Sequence, residues 1–219
     1  MLSNLYLHEV LDMWFEHEVK PRLRGRAFEV RFADDAALVF EREEDARRVL
    51  AVLAKRFAKY GLRLHPEKTR LVDFRSPPRA GRGGSQRERR FELLGFTHFW
   101  GRSRKGRWVV QRKTAKDRFS RALREIGRWC RTHRHWCVSE QRAVLSRKLQ
   151  GHYAYYGITG NARALARFLH EARRLWRKWL NRRSWKAAMT WETFARLCQR
   201  YPLPPARVVH SIYRRAATP

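Results

Sequence analysis

Two adjacent carboxylates, Asp34 and Asp35, interrupt a stretch of alternating apolar and polar residues. Before the two aspartates, Phe28, Val30 and Phe32 alternate with polar side chains. The alternation resumes after the aspartates. This pattern predicts two strands joined by a tight turn, because a strand places successive side chains on opposite faces. Neighbouring carboxylates attract divalent metal ions, and phosphoryl-transfer sites commonly hold two such ions. The alternative interpretation is a solvated turn, since Asp is among the commonest turn residues.

The positive charge is distributed unevenly along the chain. The 219 residues include 50 Lys or Arg and 20 Asp or Glu, for a net charge of +30. Residues 1–74 have 14 basic and 13 acidic side chains, whereas residues 75–110 have a net charge of +8 and residues 111–219 one of +21. A nearly neutral first third followed by a strongly cationic remainder predicts a carboxylate site beside a surface that binds a polyanion.

The composition excludes several classes of protein. With 43% hydrophobic residues the chain can form a core, so it is not a disordered basic tail, and we expect one large domain or two small ones. Three cysteines do not make a disulfide framework and no signal segment is visible, so we expect a cytoplasmic, nucleic-acid-associated protein. Charged residues interrupt every apolar stretch of the second half, and no run approaches the roughly 18 residues of a membrane span.

The elements that must position the carboxylates follow from hydrophobic periodicity. Helical spacing ends before Pro21 and recurs between Ala46 and Gly61, on either side of the hairpin. A flexible basic loop is predicted at residues 76–90. Further short strands are predicted at 62–64, 71–74, 91–100 and 108–111.

After Lys113 the periodicity is helical throughout. It predicts a basic three-helix bundle and a shorter helix between Thr190 and Pro202. The predicted fold class is therefore α+β, with an antiparallel sheet and helices over residues 1–112 and an all-α region over residues 113–219.

Five segments occur in the order and spacing of a known protein family. The segments are Leu2–Leu7, Phe32–Asp35, Gly61–Thr69, Phe91–Phe96 and Gly151–Gly157. They resemble the later palm motifs and the thumb of group II intron reverse transcriptases, also called maturases, and the resemblance covers essentially the whole chain. By this resemblance residues 1–112 are part of a polymerase palm, and residues 113–219 are the thumb, or maturase domain.

The resemblance implies roles for the hairpin and for a lysine beyond it. Asp34 and Asp35 would bind Mg²⁺ in a two-metal site, with Asp34 as the principal ligand. Phe32, followed by Ala33, replaces the family's tyrosine and keeps its ring near the primer terminus without the hydroxyl. Lys68 would face the incoming deoxynucleoside triphosphate (dNTP) and donate a proton to pyrophosphate. A solvated turn lysine is the alternative.

The same resemblance assigns the segment Leu94, Gly95 and Phe96 to contact with the primer. A residue without a side chain lets a nucleic-acid backbone approach closely. The alternative interpretation of Gly95 is a bend in a strand.

The activity implied by the family is RNA-directed DNA polymerisation. The expected partners are group II intron RNA, an RNA template paired with a DNA primer, and dNTP; no membrane partner is expected. The family's fingers and an earlier palm Asp would precede Met1, so we expect one metal ligand to come from a missing N-terminal segment. We therefore expect the chain to lack polymerase activity alone. Two alternatives stay open: a non-catalytic RNA-binding splicing maturase, and one subunit of a split reverse transcriptase complemented by an N-terminal segment.

The cationic helices provide candidate nucleic-acid contacts. Arginines recur at intervals near one helical turn, and self-repulsion on this scale favours binding to phosphates over a merely solvated face. Tyrosines of the second bundle helix, if exposed, could stack on bases, although helical aromatic residues more often belong to a core. The candidates are Lys113, Arg118, Arg121, Arg124, Arg128, Tyr155, Tyr156, Arg173, Arg174, Arg177 and Lys178.

Cys130, His133, His135 and Cys137 superficially suggest a zinc site. Four ligands within eight residues leave little chain to surround a tetrahedral ion. We therefore expect Cys130 in the core and the histidines in a loop between helices.

Overall fold

The structure is a computed structural model that describes residues 2–75, 77, 89–103, 105–184 and 189–211. Most of the loop predicted at 76–90 lies outside these residues. The chain divides into two compact units, which are described separately. The first comprises Met1–Leu94 and Phe99–Val109, and the second comprises Gly95–His98 and Val110–Pro219. Within the described part of the chain, no helix is both long and apolar enough to cross a membrane.

The first unit begins with the predicted helix. Helix α1, Leu2–Leu7, is continued by π-helical turns at His8–Met13 and Phe15–Val19 and by a 3₁₀ turn at Lys20–Arg22. Pro21 lies in this last turn, as expected from a residue that cannot continue a helix. The helix buries the apolar side chains of Val10, Leu11, Trp14, Phe15 and Val19.

The predicted hairpin and second helix follow. Strand β1, Ala27–Phe32, pairs antiparallel with β2, Asp35–Phe40. Helix α2, Glu43–Lys59, ends just before Gly61, whose φ of +69° suits glycine. These elements and the first helix share one apolar core, formed by Val10, Leu11, Trp14, Phe15, Val19, Ala27, Val49, Leu53 and Phe57.

The strands predicted at 62–64 and 71–74 are wrong, because neither segment forms a strand or pairs with one among the described residues. Leu62 and Leu64 nevertheless pack against the core of the first unit. Alternating apolar residues indicate burial on one side, which an irregular segment can also achieve, whereas a strand needs a hydrogen-bonded neighbour. The sequence pattern therefore identified the buried side chains but not the backbone state.

The later strands form a three-stranded sheet in the order β3–β4–β5. Strand β3 spans Arg90–Leu93, β4 spans Phe96–Arg102 and β5 spans Trp108–Thr114. They confirm the strand predicted at 108–111, whereas the stretch predicted as strand at 91–100 is divided into β3 and β4 by a turn at Leu94 and Gly95. The division between the two units passes through β4 and β5.

The second unit is built from the predicted helices. They are α3 (Lys116–Thr132), α4 (Val138–Tyr156), α5 (Ala162–Leu180) and α6 (Trp191–Arg200). Thr190 caps α6, because its hydroxyl accepts a hydrogen bond from the amide of Thr193 at 3.1 Å. The largest fully buried apolar side chains described in this unit are Leu145, Leu149, Tyr153, Leu165, Phe168 and Trp176.

Candidate metal site and nucleic-acid interface

The turn between β1 and β2 consists of two residues, Ala33 and Asp34. Phe32 pairs with Asp35 in the strand register, so nothing else separates the strands. Ala33 has a φ of +52°, a left-handed conformation that costs a residue with a Cβ atom about 1–2 kcal/mol. Two-residue hairpins use positive φ because the resulting twist matches that of the strands. A strained residue therefore lies directly before the first carboxylate.

Asp34 and Asp35 are both exposed, and within the described part of the chain neither side chain has a hydrogen bond or ion pair. Such free oxygen donors suit Mg²⁺, which commonly takes one or two carboxylates together with water and substrate phosphates. The pair therefore fits part of a magnesium ligand set. Among the described residues, no group of three or more His, Cys, Asp or Glu side chains could hold a metal ion.

The two faces of the hairpin differ in character. Phe28, Val30 and Phe32 on β1 are all exposed, Phe32 by 69%. Residues directly opposite each other in an antiparallel pair share a face, so the ring of Phe32 and the carboxylate of Asp35 lie on the same exposed face. The charged side chains of β1 lie on the other face, towards the first helix.

An ion pair on that inner face was missed by sequence reasoning. Arg31 donates from Nε and Nη2 to the two carboxylate oxygens of Asp12, each at 2.6 Å. These hydrogen bonds lower the pKa of Asp12 and raise that of Arg31. The sequence contains one signal of this ion pair. Asp12 lies between Leu11 and Trp14, which are buried, and Arg31 alternates with apolar residues that face outward.

Glu29 extends this cluster. Burial, followed by the negative charge of Asp12, raises the pKa of Glu29 to about 7. Its Oε1 is buried without a hydrogen-bond partner. When Glu29 is protonated, it can donate to Asp12, which as a carboxylate is an acceptor only. This side chain therefore favours its neutral form in the folded chain.

Lys68 lies in the predicted turn, where its backbone amide donates to the carbonyl of His65 at 3.2 Å. Its side chain is exposed. No hydrogen bond or ion pair within the described ranges joins its ammonium group to Asp34 or Asp35. The structure therefore does not bring Lys68 into contact with the carboxylates.

Gly95 occupies a tight turn between β3 and β4. Leu94 and Gly95 have φ values of +52° and +74°. A Cβ atom at Gly95 would lie 3.1 Å from the hydroxyl oxygen of Tyr156, and the Gly95 carbonyl accepts a hydrogen bond from the amide of Ala115 at 2.9 Å. The positive φ and the nearby Tyr156 hydroxyl thus both favour glycine, as the bend interpretation expects.

The carboxylate hairpin, Lys68 and the Leu94–Gly95 turn all lie within one stretch that a known family matches. Residues 1–98 match the family described as reverse transcriptase (RNA-dependent DNA polymerase). The activity of that family is RNA-directed DNA polymerisation. No curated protein that we compared matches this chain. The reverse transcriptase match thus covers the sequence that contains the candidate metal site.

Phe96, near the end of the reverse transcriptase match, packs on the tyrosines at the end of α4. Its ring stacks on Tyr155 with centroids 6.0 Å apart and planes 12° apart, and meets Tyr156 edge-on at 5.3 Å. Burial raises the pKa of Tyr156. Tyr155 keeps 55% of its surface exposed, so base stacking remains a prediction for Tyr155, while Tyr156 is largely occupied by protein contacts.

The predicted cationic residues of α3 and α5 are mostly exposed but differ in their partners. Arg128 pairs with Glu125 at 3.0 Å. In the part of the chain that is described, Arg124 and Arg173 have no such partner. Other ion pairs on these helices are Arg118–Asp117, Arg121–Asp117 and Arg174–Glu171.

Arg177 differs from the other predicted contacts. It donates from Nη2 to the carbonyl of Met189 at 2.7 Å, and its guanidinium lies 4.0 Å from the ring centroid of Trp191. The protein itself thus holds this guanidinium. Lys113 and Lys178 are exposed.

The Cys/His segment has the predicted arrangement. Cys130 lies in the core of the second unit, and burial raises its pKa to about 12. His133 lies between α3 and α4, where it stacks on Trp129 at 4.8 Å. Cys137 and His135 are exposed.

Proposed function

We propose that this chain provides the metal-binding palm segment of a group II intron reverse transcriptase, and that its helical unit binds intron RNA as a maturase. One observation carries the catalytic part. The hairpin exposes two carboxylates that have no hydrogen bond or ion pair among the described residues, and it lies in the segment that is similar to reverse transcriptases. Such a carboxylate pair can bind a divalent cation, which then takes its remaining ligands from water and from a nucleotide phosphate.

Each part of the hairpin has a defined task in this proposal. Asp34 and Asp35 hold Mg²⁺, which when bound neutralises phosphoryl charge and lowers the pKa of the attacking hydroxyl. Phe32 offers an exposed ring on the Asp35 face against which the end of a primer can pack. Within the described residues neither carboxylate has a hydrogen bond or ion pair, so both are available to a cation.

The helical unit supports the RNA-binding part of the proposal through its charge. Residues 111–219 have a net charge of +21, and the arginines of α3 and α5 are largely exposed. Binding to RNA phosphates relieves the mutual repulsion of such charges, and it releases counterions from the RNA. We further propose a template–primer duplex and dNTP as partners of the whole enzyme, with a complementing N-terminal reverse transcriptase segment.

Metal binding by the purified full chain tests the carboxylate site directly. Titration with Mn²⁺, followed by water-proton relaxation, should detect a site that Asp34→Asn and Asp35→Asn each weaken by at least about tenfold. Glu18→Gln is the matched control, because Glu18 is also exposed and has no partner within the described ranges. Equal Mn²⁺ affinity in Asp34→Asn and Glu18→Gln would contradict the proposed site.

Primer extension separates the two candidate functions. Mg²⁺-dependent incorporation that Asp34→Asn abolishes supports a polymerase, with or without an added N-terminal segment. RNA binding without incorporation under both conditions supports the second candidate, a non-catalytic splicing maturase, which the concentration of charge in the helical unit favours.

A further inference from the structure

The turn that presents Asp34 is tied to the first helix through one side chain. Arg31 donates from Nη1 to the carbonyl oxygen of Ala33 at 3.1 Å, while its Nε and Nη2 donate to the carboxylate of Asp12. The side chains of Arg31 and Asp12 are only 14% and 24% exposed, so water screens these contacts weakly. Bidentate arginine–carboxylate pairs fix the relative geometry of the two side chains in addition to stabilising them electrostatically.

The Ala33 carbonyl belongs to the same peptide unit as the amide of Asp34. Because that unit is planar, holding its oxygen fixes the plane from which Asp34 departs. Ala33 has a φ of +52°, and a strained backbone of this kind persists only where the surroundings hold it. Arg31 supplies such a constraint from within the hairpin.

The other end of the connection is anchored. Asp12 lies in the π-helical segment His8–Met13, next to Val10 and Leu11, which are buried in the core of the first unit. A helix packed in this way cannot follow a movement of the turn without disturbing the core. The guanidinium of Arg31 therefore holds the Ala33–Asp34 turn in a fixed position relative to the first helix, which the core keeps rigid.

We propose that Arg31 and Asp12 are positioning residues, which hold the Ala33–Asp34 turn so that the Asp34 carboxylate is preoriented for a divalent cation. The inference rests on the proposed metal-binding function of Asp34. Neither residue contacts the cation, and both act through the carbonyl of Ala33. A purely structural ion pair would stabilise the first unit without affecting the turn.

Two measurements on the full chain distinguish these roles. The first is the NOE between the amide and α protons of Ala33, which is strong only when φ is positive. The second is the affinity for Mn²⁺. Substituting a group that orients a metal ligand typically lowers metal affinity by about tenfold or more. We expect Arg31→Gln and Asp12→Asn to weaken the Ala33 NOE and to lower Mn²⁺ affinity by about tenfold.

Arg31→Lys keeps the positive charge but cannot hold two carboxylate oxygens and a carbonyl at once. This variant should therefore fold, but its Ala33 NOE should be weaker and its Mn²⁺ affinity lower. If Arg31→Gln fails to fold, Arg31→Lys distinguishes the positioning role from a purely structural one. Glu16→Gln is the control, since it breaks the neighbouring ion pair with Lys20 on the same helix without touching the turn. Its NOE and Mn²⁺ affinity should equal those of the unmodified chain.

The exchanged pair Asp12→Arg with Arg31→Asp gives a further separation. It can restore an ion pair, but aspartate at position 31 cannot donate to the Ala33 carbonyl. Recovery of stability without recovery of the NOE supports the inference, whereas recovery of both overturns it. An unchanged NOE together with Mn²⁺ affinity within twofold in Arg31→Lys also overturns it. If the unmodified chain binds no Mn²⁺, the proposed metal function fails, while the NOE still decides whether Arg31 holds the turn.

Discussion

Asn161 holds Thr114 by two hydrogen bonds at the start of the helical unit. Its Oδ1 accepts from the Thr114 amide at 3.0 Å, and its Nδ2 donates to the Thr114 hydroxyl at 2.9 Å. The same Nδ2 also donates to the carbonyl of Tyr156 at 2.9 Å. Asn161 is 1% exposed, so it joins the end of β5 to the end of α4 in a site closed to water.

Asn161→Ala should lower the free energy of unfolding by about 1–3 kcal/mol, because the buried Thr114 amide then loses its partner. Urea denaturation followed by circular dichroism measures this change. Gln150→Ala, at an exposed position of α4, serves as the control and should have little effect. Equal unfolding midpoints for the two variants would contradict the assigned role.

His152 should make the helical unit sensitive to acid. It is buried against Phe168 with ring centroids 3.6 Å apart, and burial lowers its pKa to about 4. The folded chain therefore keeps this ring neutral, so stability is complete above the ordinary pKa of 6.5 and is lost as the pH falls from there towards 4.

His152→Phe should remove this part of the pH dependence, because it keeps an aromatic ring against Phe168 and cannot be protonated. Thermal unfolding at about pH 7 and about pH 5 tests this, with the variant gaining stability relative to the unmodified chain at the lower pH. His170→Gln, which removes an exposed histidine, should leave the difference between the two conditions in place. The assignment fails if His152→Phe retains the full pH dependence.

Glu29 should act in the opposite direction in the first unit. Its pKa is raised from 4.5 to about 7 by burial and then by Asp12, with a smaller contribution from Glu16, while Arg31 opposes the shift. The folded chain thus favours the protonated carboxyl, so its contribution to stability is complete below 4.5 and is lost as the pH rises through 7.

Glu29→Gln should therefore gain stability relative to the unmodified chain as the pH rises, since the amide stays neutral. Urea midpoints at about pH 5 and about pH 8 measure the difference between the two proteins. Glu18→Gln, at an exposed position of the first helix, should show no such trend. A constant difference between Glu29→Gln and the unmodified chain across this range would be the contrary result.

The partners of the arginines predict which of them matter most for RNA. Arg124 has no ion-pair partner in the described part of the chain, whereas Arg128 on the same helix pairs with Glu125. Arg124→Ala should reduce the slope of log affinity against log salt by about 1 if this arginine contacts a phosphate. Arg128→Ala should change the slope less, because Glu125 already offsets part of its charge.

Fluorescence anisotropy with a structured RNA at several salt concentrations measures these slopes. Arg173→Ala, on α5, should behave like Arg124→Ala for the same reason. A flat salt response of the unmodified chain would count against RNA binding by the helical unit. Identical slopes for Arg124→Ala and Arg128→Ala would contradict the ranking by ion-pair partner.

The sequence by itself determined the local elements of this protein. The turn at Asp34 and Asp35, the stop at Gly61 and the helices beyond Lys113 follow from residues close together in the chain, which decide turns, caps and helical faces. The order of the motifs also predicted the similarity to reverse transcriptases, which the match over residues 1–98 confirms at the level of that family.

Only the tertiary structure decided what these elements contact. It showed that segments 62–64 and 71–74 have no partner strand in the part of the chain that is described, and that the charged face of β1 points inward. It joined Arg31 to Asp12 across 19 residues and placed Phe96 against Tyr155. Such contacts depend on how distant segments pack, and a periodic pattern indicates that a side chain is buried without specifying its partner. The carboxylates of the candidate site were therefore visible in the sequence, whereas the residues that hold their turn were not.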